Sequence, residues 1–327
     1  MHLKFFFRGA VPLFVTPSLL GFGGASWFLR PSVSAELVSQ ESEIEDTADI
    51  GEQLLERGMA QLQNADAQGA IASFQQALDF FKEESDRAGE GRALTHLAMA
   101  YEFLNDYPTA LEYHQRALAI SRAIGNREWE VSDLNSLGAV HNIMGNIDRA
   151  LDYSRQSLVL AREIGDRAGE GNALGSVGFA SFVLGDLVEA IASFEKSLAI
   201  AEELQDEQMT ATAQNGLSIA QDARTRRRDE AQTLLRSGIE QLRERQERAA
   251  IEESLQQALR LFQETGDRRG VGEVLAFLGY AYLGLGDLPQ ARTLFERSLA
   301  IALEVNDSEL EAFAREGLSQ ATVDRQV

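Results

Sequence analysis

Apolar residues recur along this chain at helical spacing, and the helical segments themselves recur every forty residues. Within 166–206, Leu174, Val177, Gly178 and Ser181 share one face of a first helix. Ala190, Phe194, Ser197 and Leu198 share one face of a second, and Gly185-Asp186 joins the two. Asp86, Asn126, Asp166 and Asp206 stand forty residues apart, and Asp267 and Asp307 repeat the interval. A period of this length predicts stacked helix pairs, each burying its apolar face against its neighbours.

Local chemistry agrees with the period. Asp166 and Asp186 each precede an amphipathic run, where a carboxylate accepts from the free N–H groups of a first helical turn. Glu189 stands three residues after Asp186, a capping-box spacing, and Gly185 suits a left-handed helix end. Pro108 and Pro289 each follow an aspartate by two residues, where a missing N–H costs little. A small residue recurs in the first helices as Gly58, Ala98, Gly138, Gly178 and Gly279, and in the second as Ala70, Ala110, Ala150, Ala190 and Ala291. These positions predict close helix approach, with Phe74, Phe194 and Phe295 filling the space beside them.

The register divides the chain. Four units are predicted at 48–85, 86–125, 126–165 and 166–205, followed by a capping helix, so that a first array covers 48–223. The interval from Asp206 to Asp267 is 61 residues rather than forty, and inside it the opening pattern restarts: Leu54-Leu55, Gly58 and Gln61 correspond to Leu234-Leu235, Gly238 and Gln241. A second array of two units and a closing helix therefore covers 224–321, with a tail at 322–327. No glycine or proline stands between 217 and 237, so the capping helix can continue into the second array as one long helix. Arg224, Arg226, Arg227 and Arg228 read as a solvated face, with a docking patch for an acidic partner as the alternative.

The pattern L-x-x-[LV]-[GA]-x-x-[YHS], followed by A-x-x-x-[FHS]-x-x-[AS], resembles the tetratricopeptide repeat over about 48–321. Its forty-residue period and the G-D-R-x-G-E-G junctions look like the lengthened variant of Pins-type scaffolds and bacterial multi-repeat proteins. The resemblance implies an all-α fold: a right-handed superhelical solenoid of antiparallel helix pairs, here in two arrays. It also implies a concave face lined by the first helices, where a peptide or protein segment binds. Carried over position by position, that face comprises Arg92, Thr95, Met99 and Glu102, then Ser132, Asn135, Ala139 and Asn142, then Asn172, Gly175, Phe179 and Phe182. Asparagine amides suit an extended backbone, and Met99, Phe179 and Phe182 offer apolar contact or pack between helices. Arg92 has no cationic counterpart at Ser132 or Asn172, so a cationic clamp for a C-terminal carboxylate is not expected.

Composition narrows the function. Asp and Glu outnumber Lys and Arg by 51 to 30, a net charge of −21, which argues against nucleic acid as a partner. The chain has no cysteine and four histidines. No phosphate loop, nucleophile elbow or zinc-protease motif occurs, and His96, His114 and His141 fall at variable repeat positions. No enzyme activity, cofactor or metal is expected. Residues 1–35 differ from the rest: Lys4 and Arg8 precede an apolar run over 10–29, and Val33-Ser34-Ala35 suits a signal peptidase. This predicts export after cleavage near Ala35, or membrane anchoring through 10–29 if the leader is kept. Loss of Lys4, Arg8 and Arg30 takes the net charge from −21 to −24. Residues 36–47 are acidic and read as a flexible tether. The leading expectation is a non-enzymatic scaffold with a protein or peptide partner. The alternatives are a regulatory or sensor subunit of a separately encoded protease-like enzyme, or a structural protein that assembles with itself as a homo-oligomer.

Overall fold

The computed structural model describes residues 41–244 and 246–322. Among them are thirteen helices and no strand: α1 (Glu41–Gln63), α2 (Ala67–Glu83), α3 (Arg87–Phe103), α4 (Tyr107–Ile124), α5 (Arg127–Ile143), α6 (Ile147–Ile164) and α7 (Arg167–Leu184). These are followed by α8 (Leu187–Leu204), α9 (Glu207–Arg243), α10 (Arg248–Glu264), α11 (Arg268–Gly284), α12 (Leu288–Glu304) and α13 (Ser308–Thr322). The expected all-α architecture of consecutively packed helix pairs is the one observed. The leader 1–35, with its cleavage or anchoring, lies outside the described residues, as do 36–40 and 323–327. Helix α1 begins at Glu41, within the stretch 36–47 expected as a tether.

Every turn between short helices solves the same problem. Ala65, Ser85, Asn105, Gly125, Gly145, Gly165, Gly185 and Gln205 have positive φ and stand twenty residues apart; Gly266, Gly286 and Asn306 continue the series. The residue after each donates its N–H five residues back, as in Asp66 N to Gln61 O (2.8 Å) and Asp186 N to Ser181 O (2.9 Å). This left-handed ending satisfies the last carbonyls of one helix. At all of these turns but one, Asn146, the residue making that bond then caps the next helix with its side chain: Asp86 Oδ1 accepts from Ala88 N and Gly89 N, both at 2.9 Å. Asp186 Oδ1 accepts from Glu189 N at 2.9 Å. One residue thus ends one helix through its backbone N–H and starts the next through its side chain, which is why aspartate marks the period.

The described residues form two compact units. The first runs to Ala173 and adds Ile200–Thr212; the second holds Leu174–Ala199 and the residues from Ala213 onward. The division falls within α7, α8 and α9 rather than at 224, because the outer parts of α7 and α8 pack with α9. In the second unit, Ala190, Ile191 and Phe194 join Ala220 and Leu217 in one cluster. The long helix expected across the register break is α9, 37 residues.

In the first unit the core runs through Leu55, Phe74, Leu78, Phe81, Leu94, Leu97 and Ile120, then Leu118, Val131, Leu134, Leu137 and Leu160. In the second it runs through Leu235, Leu255, Phe262, Val274, Leu275 and Leu294. The small-residue positions behave as expected. A Cβ at Gly58 would lie 2.3 Å from the Phe74 ring, and one at Gly279 would lie 2.8 Å from the Phe295 ring.

The arginine cluster is solvent-facing, as expected, with Arg224, Arg226 and Arg228 exposed, and three of its members are paired. In the second unit Arg224 Nε donates to Thr265 O (2.8 Å), Arg227 pairs with Glu264 (2.6 Å) and Arg228 with Asp267 (2.8 Å). Three of its members fasten α9 to the turn between α10 and α11.

Candidate functional site

In the first unit the candidate residues sit on α3, α5 and the start of α7, the first helices of successive repeats. Their surroundings separate them into two groups. Arg92, the sole candidate cation, pairs with Glu52 of α1 through both guanidinium ends, one of them at 2.8 Å, and its guanidinium lies 5.5 Å from the Phe81 ring centroid. It ties one first helix to the preceding one. Thr95 Oγ1 donates to Gly91 O (3.2 Å), and Glu102 Oε1 lies 2.6 Å from His114 Nε2. Asn135 Nδ2 donates to Gly169 O (3.2 Å), which links α5 to α7, while its buried Oδ1 has no hydrogen-bond partner.

The other group faces outward. Ser132 and Asn172 are exposed; Met99, Ala139 and Asn142 are half-buried. In the second unit Gly175 is half-buried, Phe179 is 37% exposed, and Phe182 packs on the Ala190, Ile191 and Phe194 cluster. Of the two phenylalanines, Phe182 therefore takes the packing role and Phe179 stands out.

Behind this face lies a polar interior that the repeat pattern does not announce. Asp133, on the inner side of α5, occupies the register of Ala93 and Ala173 and is 4% exposed. Ser121 Oγ donates to its Oδ2 at 2.9 Å, and Thr95 Oγ1 lies 3.5 Å from its Oδ1. Burial pushes its carboxyl up from 3.8 to about 6, only partly opposed by the Ser121 hydrogen bond and by attraction to His114. His96 and His141 serve as packing groups. His96 stacks on Phe74 (5.1 Å between centroids), and burial, with Arg92 nearby, lowers it to about 4. His141 stacks on Tyr153 (5.4 Å), and burial with Arg149 lowers it as well. Among the described residues no three His, Asp or Glu side chains are placed to hold a metal. An open depression of about 640 Å³ between α4, α5 and α6 is lined by arginines that are themselves paired, Arg122 with Glu130 (2.8 Å) and Arg127 with Glu163 (2.5 Å).

Residues 52–123 and 240–304 match the tetratricopeptide repeat family. These two stretches are tetratricopeptide repeats. Both matched stretches begin on a first helix and end on a second, as the helix pairing requires. No curated protein matches the chain. Among solved structures it is similar to BtubC (BKLC) from P. vanneervenii, at 17% identity over 82% of this chain and 87% of that one, with a TM-score of 0.46. It is also similar to a signal-transduction ATPase with a tetratricopeptide repeat sensor from Pyrococcus horikoshii, at 18% identity, a TM-score of 0.47, and 86% of this chain against 40% of that one. A Rap protein complexed with competence and sporulation factor gives 17% identity over 86% and 78%, with a TM-score of 0.47.

Proposed function

We propose that this repeat protein is a non-enzymatic scaffold that holds an extended peptide or protein segment against the first helices of its first unit. The observation that carries the reading is the register at 92, 132 and 172. Arg92 closes it at one end by pairing with Glu52, while Ser132 and Asn172 stay exposed on the two following helices. Small polar side chains there leave room for a backbone and offer it donors and acceptors. Half-buried Met99 adds apolar surface beside them. Phe179, exposed in the second unit, is proposed as an apolar contact in its own right. The leader's layout supports export of the chain, or anchoring if the leader is kept.

The test is affinity capture with the full chain, followed by identification of bound proteins. A Ser132→Arg, Asn172→Arg variant should lose the partner and keep its helicity. Retention of the same partner by that variant removes the proposed face from the interaction.

A further inference from the structure

In the first unit, successive repeats meet where the second helix of one packs on the first helix of the next. At the seam of α2 against α3, Phe74 and Phe81 are buried and share one apolar cluster with Ala93. Forty residues on, at the seam of α4 against α5, the same three registers hold His114, Ser121 and Asp133, which are 0%, 2% and 4% exposed. Three apolar positions have become polar together. A serine in place of the Phe81 ring leaves the room that a carboxylate at 133 needs, and Ser121 Oγ donates to Asp133 Oδ2 at 2.9 Å.

The polar seam is the weaker of the two. Helix α4 packs less extensively on α5 than α2 does on α3. Besides Ser121, α3 offers Asp133 the Thr95 hydroxyl, 3.5 Å away. Among charged groups, His114 of α4 attracts the carboxylate and Glu130 of its own helix repels it. His114 is itself engaged by Glu102 through Nε2 (2.6 Å), and its buried Nδ1 has no hydrogen-bond partner. Helix α6 reaches the same stretch through Ser157 Oγ, which donates to Val131 O (3.1 Å). A carboxylate held mainly by hydroxyls is costly to keep ionised away from water. Protonation removes that cost and makes the carboxyl a donor to a neighbouring hydroxyl.

We infer that the α4–α5 seam is a proton-operated joint: with Asp133 ionised it opens ahead of the α2–α3 seam, and proton uptake at Asp133 closes it. In a repeat array stability is set seam by seam through nearest-neighbour packing, so one polar seam opens without the others. The sign follows from burial. The carboxyl titrates at about 6 in the closed seam and at its ordinary 3.8 once opening admits water, so closure gains as pH falls through 6 and that gain is lost as pH rises. Because α3 carries Arg92 and α5 carries Ser132, opening the seam parts the first-helix face. That consequence rests on the peptide reading; the joint itself does not.

The chain has no cysteine, so one introduced thiol reports opening at its own site. Val131→Cys places it in the α4–α5 seam, where Val131 is 1% exposed beside Leu118 and Leu134. Ala77→Cys places it in the fully buried cluster of the α2–α3 seam. Labelling of the full chain by a dipyridyl disulfide is measured at pH 7.5 and 5.0, each rate divided by that of the unfolded chain. At pH 7.5 Cys at 131 should label faster than Cys at 77. On going to pH 5.0 it should slow about tenfold, and the reference less than twofold. Adding Asp133→Asn, which keeps the neutral shape, should make labelling at 131 slow at both pH values. A rate at 131 that does not change with pH overturns the inference. So does equal slowing at 77, which would spread the effect over the whole unit, and so does slowing that survives Asp133→Asn, which would assign it to another group. Circular dichroism checks the fold. If Asp133→Asn loses helicity, Ser121→Ala removes the donor to the ionised carboxyl and should move the midpoint of the slowing to higher pH; an unmoved midpoint overturns the inference as well.

Discussion

Replacing Asp133 by alanine should stabilise the protein at neutral pH and destabilise it in mild acid. The neighbouring repeats place Ala93 and Ala173 at this register, both fully buried, so the fold accommodates the smaller side chain. Burial holds the folded carboxyl at about 6 against an ordinary value of 3.8. A carboxyl raised in the folded state binds its proton more tightly there than in the unfolded chain. Its contribution is therefore most favourable below 3.8, declines as pH rises toward about 6, and stays at its lowest level above that. The difference corresponds to about 3 kcal/mol. Against it stands the hydrogen bond from Ser121 Oγ, which keeps a second acceptor at Leu118 O (3.0 Å) when Asp133 is removed. One such bond contributes about 1 kcal/mol. Asp133→Ala should thus gain roughly 1–2 kcal/mol at pH 7.5 and lose about 1 kcal/mol near pH 4. Urea unfolding of both proteins at pH 4.0, 5.0, 6.0 and 7.5 measures the difference, in which the common titrations of other carboxylates cancel. A difference that is flat from pH 4.0 to 7.5 would refute the reasoning, as would a carbon-13 titration placing the Asp133 carboxyl near 4.

Four further substitutions test the packing and the turns. Ala65 holds φ at 61°, a conformation that costs a residue with a Cβ about 1 kcal/mol, so Ala65→Gly should raise the urea midpoint by an equivalent amount. Gly58→Ala should destabilise by about 1–3 kcal/mol in the same assay, because the new Cβ would sit 2.3 Å from the Phe74 ring. Arg224→Ala should cost about 1–3 kcal/mol through the lost charged hydrogen bond to Thr265 O. Arg227→Ala, which breaks a pair 36% and 41% exposed, should cost less than about 1 kcal/mol. Hydrogen exchange at the α10–α11 turn checks that order.

Much of this fold was legible because its turns write themselves into the sequence. Aspartate at 66, 86, 106, 166, 186 and 206 is both the last hydrogen-bonding residue of one helix ending and the cap of the next helix, so helix starts could be read to within a residue. Ala65, Ser85 and Gln205 carried no comparable signal: their left-handed conformation is imposed by the motif and not preferred by the side chain. The candidate face was only partly legible. Helical periodicity places Arg92 on it but cannot show that Glu52, forty residues earlier, becomes its partner once the repeats stack. Periodicity also gives Phe179 and Phe182 similar weight, while packing against the cluster of Ala190, Ile191 and Phe194 withdraws Phe182. Asp133 was legible in principle, as the one carboxylate at an alanine register, but a single polar residue on a buried face is easily taken for a solvent-facing one. The arginines at 224–228 found partners on a turn some forty residues ahead, a distance no local pattern spans.

The most direct test of peptide binding on the first helices is site-specific photo-crosslinking in the full chain. A photoreactive residue at position 132 or 172 is compared with one at Glu112 or Asp152, exposed positions on the second helices α4 and α6. Partner peptides crosslinked from 132 and 172 and absent from 112 and 152 are the expected result; crosslinks confined to 112 and 152 would contradict it.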